Sequence, residues 1–164
     1  NRGIQISKNN KIAVLGTTAT IRSNAYVERI NAVKPEAFVI SQACPLFVPL
    51  AEEGWTEGKI PDQIADHYLA GIKKGGIDTV ILGCTHYPLL KKTINKSLGE
   101  NVNLVDSSDA VVNTVISTLE KISGFSSNQV GTIKCYVTDD PFSFDKIANR
   151  FCLKKIDQAT QIDL

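Results

Sequence analysis

The stretch Val80-Ile81-Leu82-Gly83-Cys84-Thr85-His86-Tyr87-Pro88 contains an apolar run, a short polar loop and then a proline. The run at residues 80–82 predicts a buried strand, because it does not alternate with polar residues. Proline suits the first turn of a helix, where its missing N–H costs no hydrogen bond. The stretch therefore predicts a buried strand joined to a helix by a loop that carries a thiol, a hydroxyl and an imidazole.

Further apolar, β-branched runs occur at residues 12–15, 38–40 and 102–105. Helical patterns alternate with these runs, and an alternation of strands with helices is typical of βαβ crossovers. The predicted fold is therefore α/β, with a parallel sheet flanked by helices. The predicted helices are residues 18–33, a helix from Pro61 to Gly75, a helix from Pro88 to Gly99, and residues 108–123.

The apolar positions of two predicted helices indicate which faces turn inward. Residues 18–33 place Tyr26, Ile30 and Val33 on one face. The helix at 108–123 carries an apolar stripe formed by Val111, Val115, Leu119 and Ile122.

The pattern changes near Asp106. Residues 132–138 alternate between apolar and polar side chains and predict a less buried strand, and residues 142–151 predict a short helix. We therefore divide the chain into residues 1–106, a near-complete α/β domain, and residues 107–164, which belong to a different layer or domain.

Composition argues against several classes of protein. Of 164 residues, 43% are apolar and 21% are charged, as is typical of globular domains. The net charge of +1 supplies no broad field for attracting nucleic acid or an anionic membrane. The most apolar stretch, residues 37–51, is too short and too polar to span a bilayer. We therefore predict a small-molecule partner, with no nucleic acid and no membrane.

The cysteines indicate a reducing environment. The chain's 4 cysteines lie far apart without a disulfide pattern, and no apolar leader opens the sequence, so the predicted location is the cytoplasm. The chain begins at Asn1 and contains no methionine, and we therefore expect a fragment of a longer protein.

Residues 16–20 follow the first predicted strand, at the end of a parallel sheet where ligands bind. Thr17 and its hydroxyl-bearing neighbours could hold a carboxylate or phosphate, or Thr17 could simply cap the next helix. Both interpretations stay open, and the segment matches neither the P-loop nor the dinucleotide-binding fingerprint.

The loop after the third predicted strand combines Cys84, Thr85 and His86. A helix N-terminus and a neighbouring imidazole stabilise a thiolate, so Cys84 is the candidate reactive group. Thr85 and His86 offer hydrogen-bond donors for a substrate carboxylate. The competing interpretation is a buried thiol with a capping threonine and an exposed histidine.

The other candidate residues have weaker signals. Glu52 is either a functional carboxylate or an ordinary surface group. Cys44, Cys135 and Cys152 lie in apolar contexts and are expected to fill space in the core. No cysteine or histidine pattern predicts a closed metal site, so we predict none.

Residues 80–90 resemble the second catalytic-cysteine motif of the glutamate racemases, which belong to the cofactor-independent aspartate/glutamate racemases. The resemblance extends in order over residues 14–17, 43–45, 48–52 and 138–141. Aspartate racemases resemble Gly-Cys-Thr-Glu where this chain has Gly-Cys-Thr-His, so His86 favours glutamate.

The resemblance implies an enzyme that interconverts L- and D-glutamate without any cofactor or metal. In this family one cysteine thiolate removes the α-proton, and a second cysteine thiol returns a proton on the opposite face. Cys84 matches the second cysteine, and His86 and Glu52 match residues that assist catalysis. Thr85 and His86, with Thr17, form the predicted substrate-binding set. The resemblance also implies that the D-glutamate produced is used in peptidoglycan synthesis.

The chain departs from the family pattern at the first cysteine, whose Cys-Asn-Thr motif has no counterpart and would precede Asn1. The resemblance implies that residues 107–164 complete the domain that holds this motif, and we predict that the isolated chain is inactive. Two alternatives remain: another racemase or decarboxylase of the superfamily, or a non-catalytic carboxylate-binding α/β module. The oligomeric state is open, with a homodimer as one option.

Overall fold

The computed structural model describes residues 2–126, 131–152 and 156–163, and the chain divides into two compact units, Asn1–Val115 and Ile116–Leu164. The predicted domain boundary after residue 106 stays a prediction. The first unit contains α1 (Arg2–Ile6), β1 (Lys11–Gly16), α2 (Thr18–Arg22), α3 (Ala25–Val33), β2 (Phe38–Ala43), α4 (Phe47–Glu53), α5 (Lys59–Lys74), β3 (Thr79–Leu82), a 3₁₀ turn (Tyr87–Leu90), α6 (Lys91–Leu98) and β4 (Asn103–Val105). Helix α7 (Ser107–Lys121) follows.

The four predicted strands form one parallel sheet in the order β2-β1-β3-β4. In the register of the sheet, Val14 of β1 lies opposite Ser41 on one side and Ile81 on the other. The α/β prediction is therefore confirmed, and β1 and β3 are the central strands.

The sheet is covered on both faces. Ala13 and Leu15 of β1 face a larger core that includes α4, α5, the 3₁₀ turn and α6. Ile12 and Val14 face a smaller core built with Ile30 of α3 and apolar residues of α1 and α2. Because successive side chains of a central strand enter different cores, the strand reads as a continuous apolar run.

The prediction of one helix over residues 18–33 is wrong. Helix α2 ends at Arg22, and α3 begins at Ala25 after Asn24, which has a left-handed φ of 56°. Asparagine tolerates this conformation better than most residues. Within α3, Ile30 is 3% exposed, whereas Val33, predicted to face inward, is the last residue of the helix and is 49% exposed.

The predicted apolar stripe of α7 lies on the surface. Val111 and Val115 are 57% and 49% exposed, and Ile122, which lies beyond the helix end, is 67% exposed.

The second unit contains β5 (Tyr136–Val137), α8 (Pro141–Phe151) and β6 (Thr160–Gln161). The predicted strand at 132–138 is reduced to β5, which pairs in parallel with β6 over two residues, and Ile133 is 61% exposed. The predicted helix is confirmed as α8, where Asp140 accepts hydrogen bonds from the backbone N–H groups of Phe142 and Ser143. Cys152, expected to pack in a core, is exposed.

None of the described helices combines the length and the apolar character needed to cross a membrane.

Candidate active site

The loops after β1 and β3 lie at a switch point of the sheet. β2 and β3 flank β1 on opposite sides, and the helices after β1 cover one face whereas those after β2 cover the other. Open α/β sheets bind ligands at the carboxyl ends of the strands where the connections diverge in this way. The Thr17 and Cys84 loops both begin at this point.

The Cys84 loop is held against β1 by its glycine. The Gly83 N–H donates a hydrogen bond to the carbonyl oxygen of Leu15 at 2.7 Å, which extends the strand pairing by one residue. A Cβ atom at Gly83 would lie 3.0 Å from this oxygen and 3.1 Å from the Tyr26 ring. The absence of a side chain at Gly83 therefore permits the close approach to β1 that places Cys84 at the carboxyl end of β3.

Cys84 is half-buried against the larger core, and Thr85 is exposed. The Cys84 carbonyl accepts a hydrogen bond from the Tyr87 N–H at 3.2 Å, which closes the loop into the 3₁₀ turn. A strand therefore leads through the Cys84 loop into helical structure, as the sequence predicts.

His86 and Glu52 come together although they follow different strands. Glu52 lies on α4, after β2, and His86 lies in the loop after β3. The His86 Nε2 atom is 3.4 Å from Glu52 Oε1, and the two side chains are 27% and 43% exposed. A carboxylate beside an imidazole selects the ring nitrogen that carries the proton, so Glu52 is placed to orient His86.

Cys44 is a core residue. Its side chain has no exposed area, and burial raises the pKa of its thiol to about 12. The predicted packing role is therefore confirmed, and Cys44 is unsuited to act as a thiolate near neutral pH.

Thr17 caps α2. Its Oγ1 accepts a hydrogen bond from the Thr20 N–H at 3.2 Å and lies 3.0 Å from Thr20 Oγ1. The helix-capping interpretation is therefore correct, and the predicted substrate contact of Thr17 stays a prediction.

Asp106 directly follows β4, at the carboxyl end of this strand. Its side chain is 4% exposed and lies 2.5 Å from Lys91 Nζ, and the Ser108 N–H donates to it at 2.9 Å. Burial alone would raise the pKa of Asp106, but the hydrogen bonds from Lys91 and Ser108 outweigh it and lower the pKa to about 2. Asp106 is therefore a buried, ionised cap of α7.

A cleft of about 210 Å³ adjoins the smaller core, with Arg2, Arg29 and Asp106 in its wall. Its lining does not include Cys84, Thr85 or His86. We place the candidate site at the loops instead, because the groups able to transfer protons meet there. Nowhere in the described residues do three His, Cys, Asp or Glu side chains form a group suited to a metal ion.

The family model for Asp/Glu/Hydantoin racemase matches residues 5–115, a range that includes Thr17, Glu52 and the whole Cys84 loop. This chain belongs to that family. The membership accounts for the resemblance in the sequence.

Relatives within the family carry the name glutamate racemase. That of Geobacter metallireducens is 41% identical over 99% of this chain and 61% of its own length. That of Aquifex pyrophilus is 56% identical over 64% of this chain and 40% of its own length. The chain thus spans about three-fifths of the length of the Geobacter metallireducens protein and a smaller share of the Aquifex pyrophilus protein.

Solved structures agree with the fold. The glutamate racemase isoform of Bacillus anthracis superposes with a TM-score of 0.88 at 32% identity, over 99% of this chain and 61% of that one. The glutamate racemase of Francisella tularensis, solved in complex with D-glutamate, gives a TM-score of 0.87 at 33% identity, over 98% and 61%.

The predicted site residues converge only in part. Glu52 and His86 are in contact, and Cys84, Thr85 and His86 share one loop, whereas Thr17 is engaged in a helix cap. Tyr87 is not among the residues that the sequence singles out for a site, yet its hydroxyl reaches the loop after β2. The only sequence signal is that a buried tyrosine needs a hydrogen-bond partner, and this signal does not say which one.

Proposed function

We propose that this chain is the part of a glutamate racemase that carries one of its two catalytic cysteines, Cys84. The observation that carries the proposal is the Cys84 loop at the switch point, with His86 in contact with Glu52. The names of the family relatives and the D-glutamate complex of the Francisella tularensis protein support glutamate as the substrate.

The reaction needs two proton transfers at the α-carbon. The thiolate on one face takes the α-proton and leaves a carbanion, and the thiol on the opposite face then donates its proton to give the mirror-image amino acid. Cys84 supplies one of these two groups, and it alternates between thiol and thiolate with the direction of reaction. Two thiols divide the work, so no cofactor or metal is required.

His86 and Glu52 act on Cys84 and the substrate as a pair. An imidazole oriented by a carboxylate can donate a hydrogen bond to the thiolate or to a substrate carboxylate, and thereby stabilise the charge that develops during proton transfer. Thr85 is exposed at the same edge and offers its hydroxyl and N–H to the substrate. Thr17 is the third binding residue of the proposal.

The proposal extends to the setting of the enzyme. D-glutamate is a component of peptidoglycan, so the enzyme acts in cell-wall synthesis, and we place it in the cytoplasm. A homodimer is one assembly that fits the proposal.

The test uses the full-length protein encoded by the same gene, incubated with L-glutamate and followed by circular dichroism. We expect loss of optical activity that survives exhaustive dialysis and needs no added pyridoxal phosphate. Cys84→Ser should lower kcat by about three orders of magnitude or more, which corresponds to roughly 4 kcal/mol of barrier.

Cys152→Ser is the matched control, because Cys152 is an exposed cysteine on α8's C-terminal cap. It should leave kcat within about threefold of the parent. A full-length protein that binds glutamate without racemising it, or that needs pyridoxal phosphate, would contradict the proposal and favour the binding-module or cofactor-dependent alternatives.

A further inference from the structure

A string of hydrogen bonds links the loops after β1, β2 and β3. The Cys44 N–H donates to the Gly16 carbonyl at 2.9 Å, and the Cys44 carbonyl accepts from the Tyr87 hydroxyl at 2.9 Å. The Tyr87 N–H donates in turn to the Cys84 carbonyl at 3.2 Å. Tyr87 is therefore the residue through which the Cys84 loop is tied to the loop after β2.

The surroundings of Tyr87 keep its hydroxyl protonated and therefore able to donate a hydrogen bond. The side chain has no exposed area, and its ring meets the ring of Phe47 edge to face at 5.3 Å. Burial raises the pKa of Tyr87 well above its usual range, and negative charge on the nearby Cys44 and Cys84 sulfurs raises it further. A neutral phenol keeps its proton, so the hydroxyl remains able to donate to the Cys44 carbonyl.

The strands that precede Glu52 and His86 are not hydrogen-bonded directly to each other. Glu52 follows β2 and His86 follows β3, and β1 lies between these strands. Two strand spacings separate β2 from β3 by about 10 Å, so no ladder hydrogen bond fixes one relative to the other. The bond from Tyr87 to Cys44 and the contact with Phe47, the first residue of α4, bridge this gap.

We propose that Tyr87 is a positioning residue whose hydroxyl bond to the Cys44 carbonyl sets Glu52 at contact distance from His86. The inference rests on the proposed function for its catalytic meaning, because the His86–Glu52 pair is the group that it positions. Tyr87 itself touches no reacting atom in this proposal.

The first test is an NMR cycle on the 164-residue chain, which contains only two histidines, His67 and His86. His67→Gln assigns the imidazole C–H signals. Glu52→Gln should shift the His86 signals in the parent background, because it neutralises the group beside the ring. In the Tyr87→Phe background the same substitution should shift them at least about twofold less, since the pair is no longer held together.

Tyr68→Phe is the matched control. The Tyr68 hydroxyl accepts from the Leu46 N–H at 3.3 Å and its ring also meets Phe47, at 5.4 Å, but its hydroxyl bond does not lead to the Cys84 loop. The Glu52→Gln shift should therefore persist in Tyr68→Phe. An equal shift in the parent and in Tyr87→Phe would overturn the inference and leave Tyr87 as a core residue only.

The full-length protein gives a second measurement if Tyr87→Phe does not fold in the shorter chain. There Tyr87→Phe should lower kcat about tenfold, with KM for glutamate within about threefold of the parent. Tyr68→Phe should change neither kcat nor KM by more than about threefold. Equal kcat values for Tyr87→Phe and Tyr68→Phe would overturn the inference. A parent full-length protein without racemase activity would defeat the proposed function instead, and the NMR cycle, run then on the full-length protein with His86 assigned by His86→Gln, would decide the role of Tyr87.

Discussion

At the scale of single residues, the structure places two cysteines in different surroundings. Both follow a strand of the same sheet, but Cys44 is fully buried whereas Cys84 is only half-buried in a loop. Burial raises the pKa of the Cys44 thiol to about 12, because a thiolate there would lose its hydration. The nucleophilic form of Cys44 is therefore scarce as well as inaccessible.

We predict that iodoacetamide at pH 8 alkylates Cys84 at least about tenfold faster than Cys44 in the folded 164-residue chain, since only the thiolate reacts. Peptide mass mapping at timed intervals measures both rates. In urea the two rates should approach each other, which serves as the control. Similar rates in the folded chain would show that the core around Cys44 opens readily.

At the scale of elements, two aspartates stabilise the two ends of the parallel strands, which are called here the amino edge and the carboxyl edge of the sheet. At the amino edge, Asp78 accepts hydrogen bonds from the Ser7 hydroxyl at 2.8 Å and from the N–H groups of Lys8 and Asn9 at 2.7 and 2.9 Å. At the carboxyl edge, Asp106 joins the end of β4 to Lys91, the first residue of α6. Each carboxylate ties together segments that are distant in sequence.

The Asp106 pair makes stability depend on pH in a defined window. Its pKa of about 2 in the folded chain lies below the unfolded value of about 4. The stabilisation is therefore complete above about pH 4 and is lost as the pH falls towards 2. Asp106→Asn should lower the free energy of unfolding by roughly 2 kcal/mol at pH 7, with a difference that shrinks on acidification.

Urea unfolding of the parent and of Asp106→Asn between pH 7 and pH 3 measures this difference. Glu57→Gln is the control, because Glu57 and its partner Lys92 are 61% and 80% exposed and such pairs contribute little. A difference between the parent and Asp106→Asn that stays constant over this range would mean that Asp106 acts by packing and not by its charge.

At the scale of the whole molecule, the chain covers 61% of the length of relatives such as the Geobacter metallireducens protein. Inversion at the α-carbon needs a proton-transfer group on each face, and in the proposed function this chain supplies only one such group, Cys84. One thiol in a fixed loop cannot serve both faces of the same carbon.

We therefore predict that the purified 164-residue chain does not racemise glutamate, whereas the full-length protein does. Substrate contacts from the part of the relatives that this chain does not cover would also be absent, so that binding is weak and poorly oriented. Circular dichroism of L-glutamate incubated with each protein checks the prediction. Sustained loss of optical activity with the shorter chain, abolished by Cys84→Ser, would show that another group acts on the opposite face.

The sequence by itself determined the strands β1 to β4, α5, α8 and the strand-to-helix setting of Cys84. These features depend on local patterns: continuous apolar runs for strands buried on both faces, helical spacing of apolar residues, and proline or glycine at helix ends. The family motif added the expected roles of Cys84, His86 and Glu52.

Only the tertiary structure decided which of these parts meet. The strand order put β1 between β2 and β3, brought Glu52 to His86, and tied Tyr87 to Cys44. No local pattern encodes these contacts, because Glu52 and His86 are 34 positions apart and Cys44 and Tyr87 are 43 positions apart in the sequence. Such contacts form only when the helices pack on the sheet, and the sequence of an individual strand does not specify the order of the strands in that sheet.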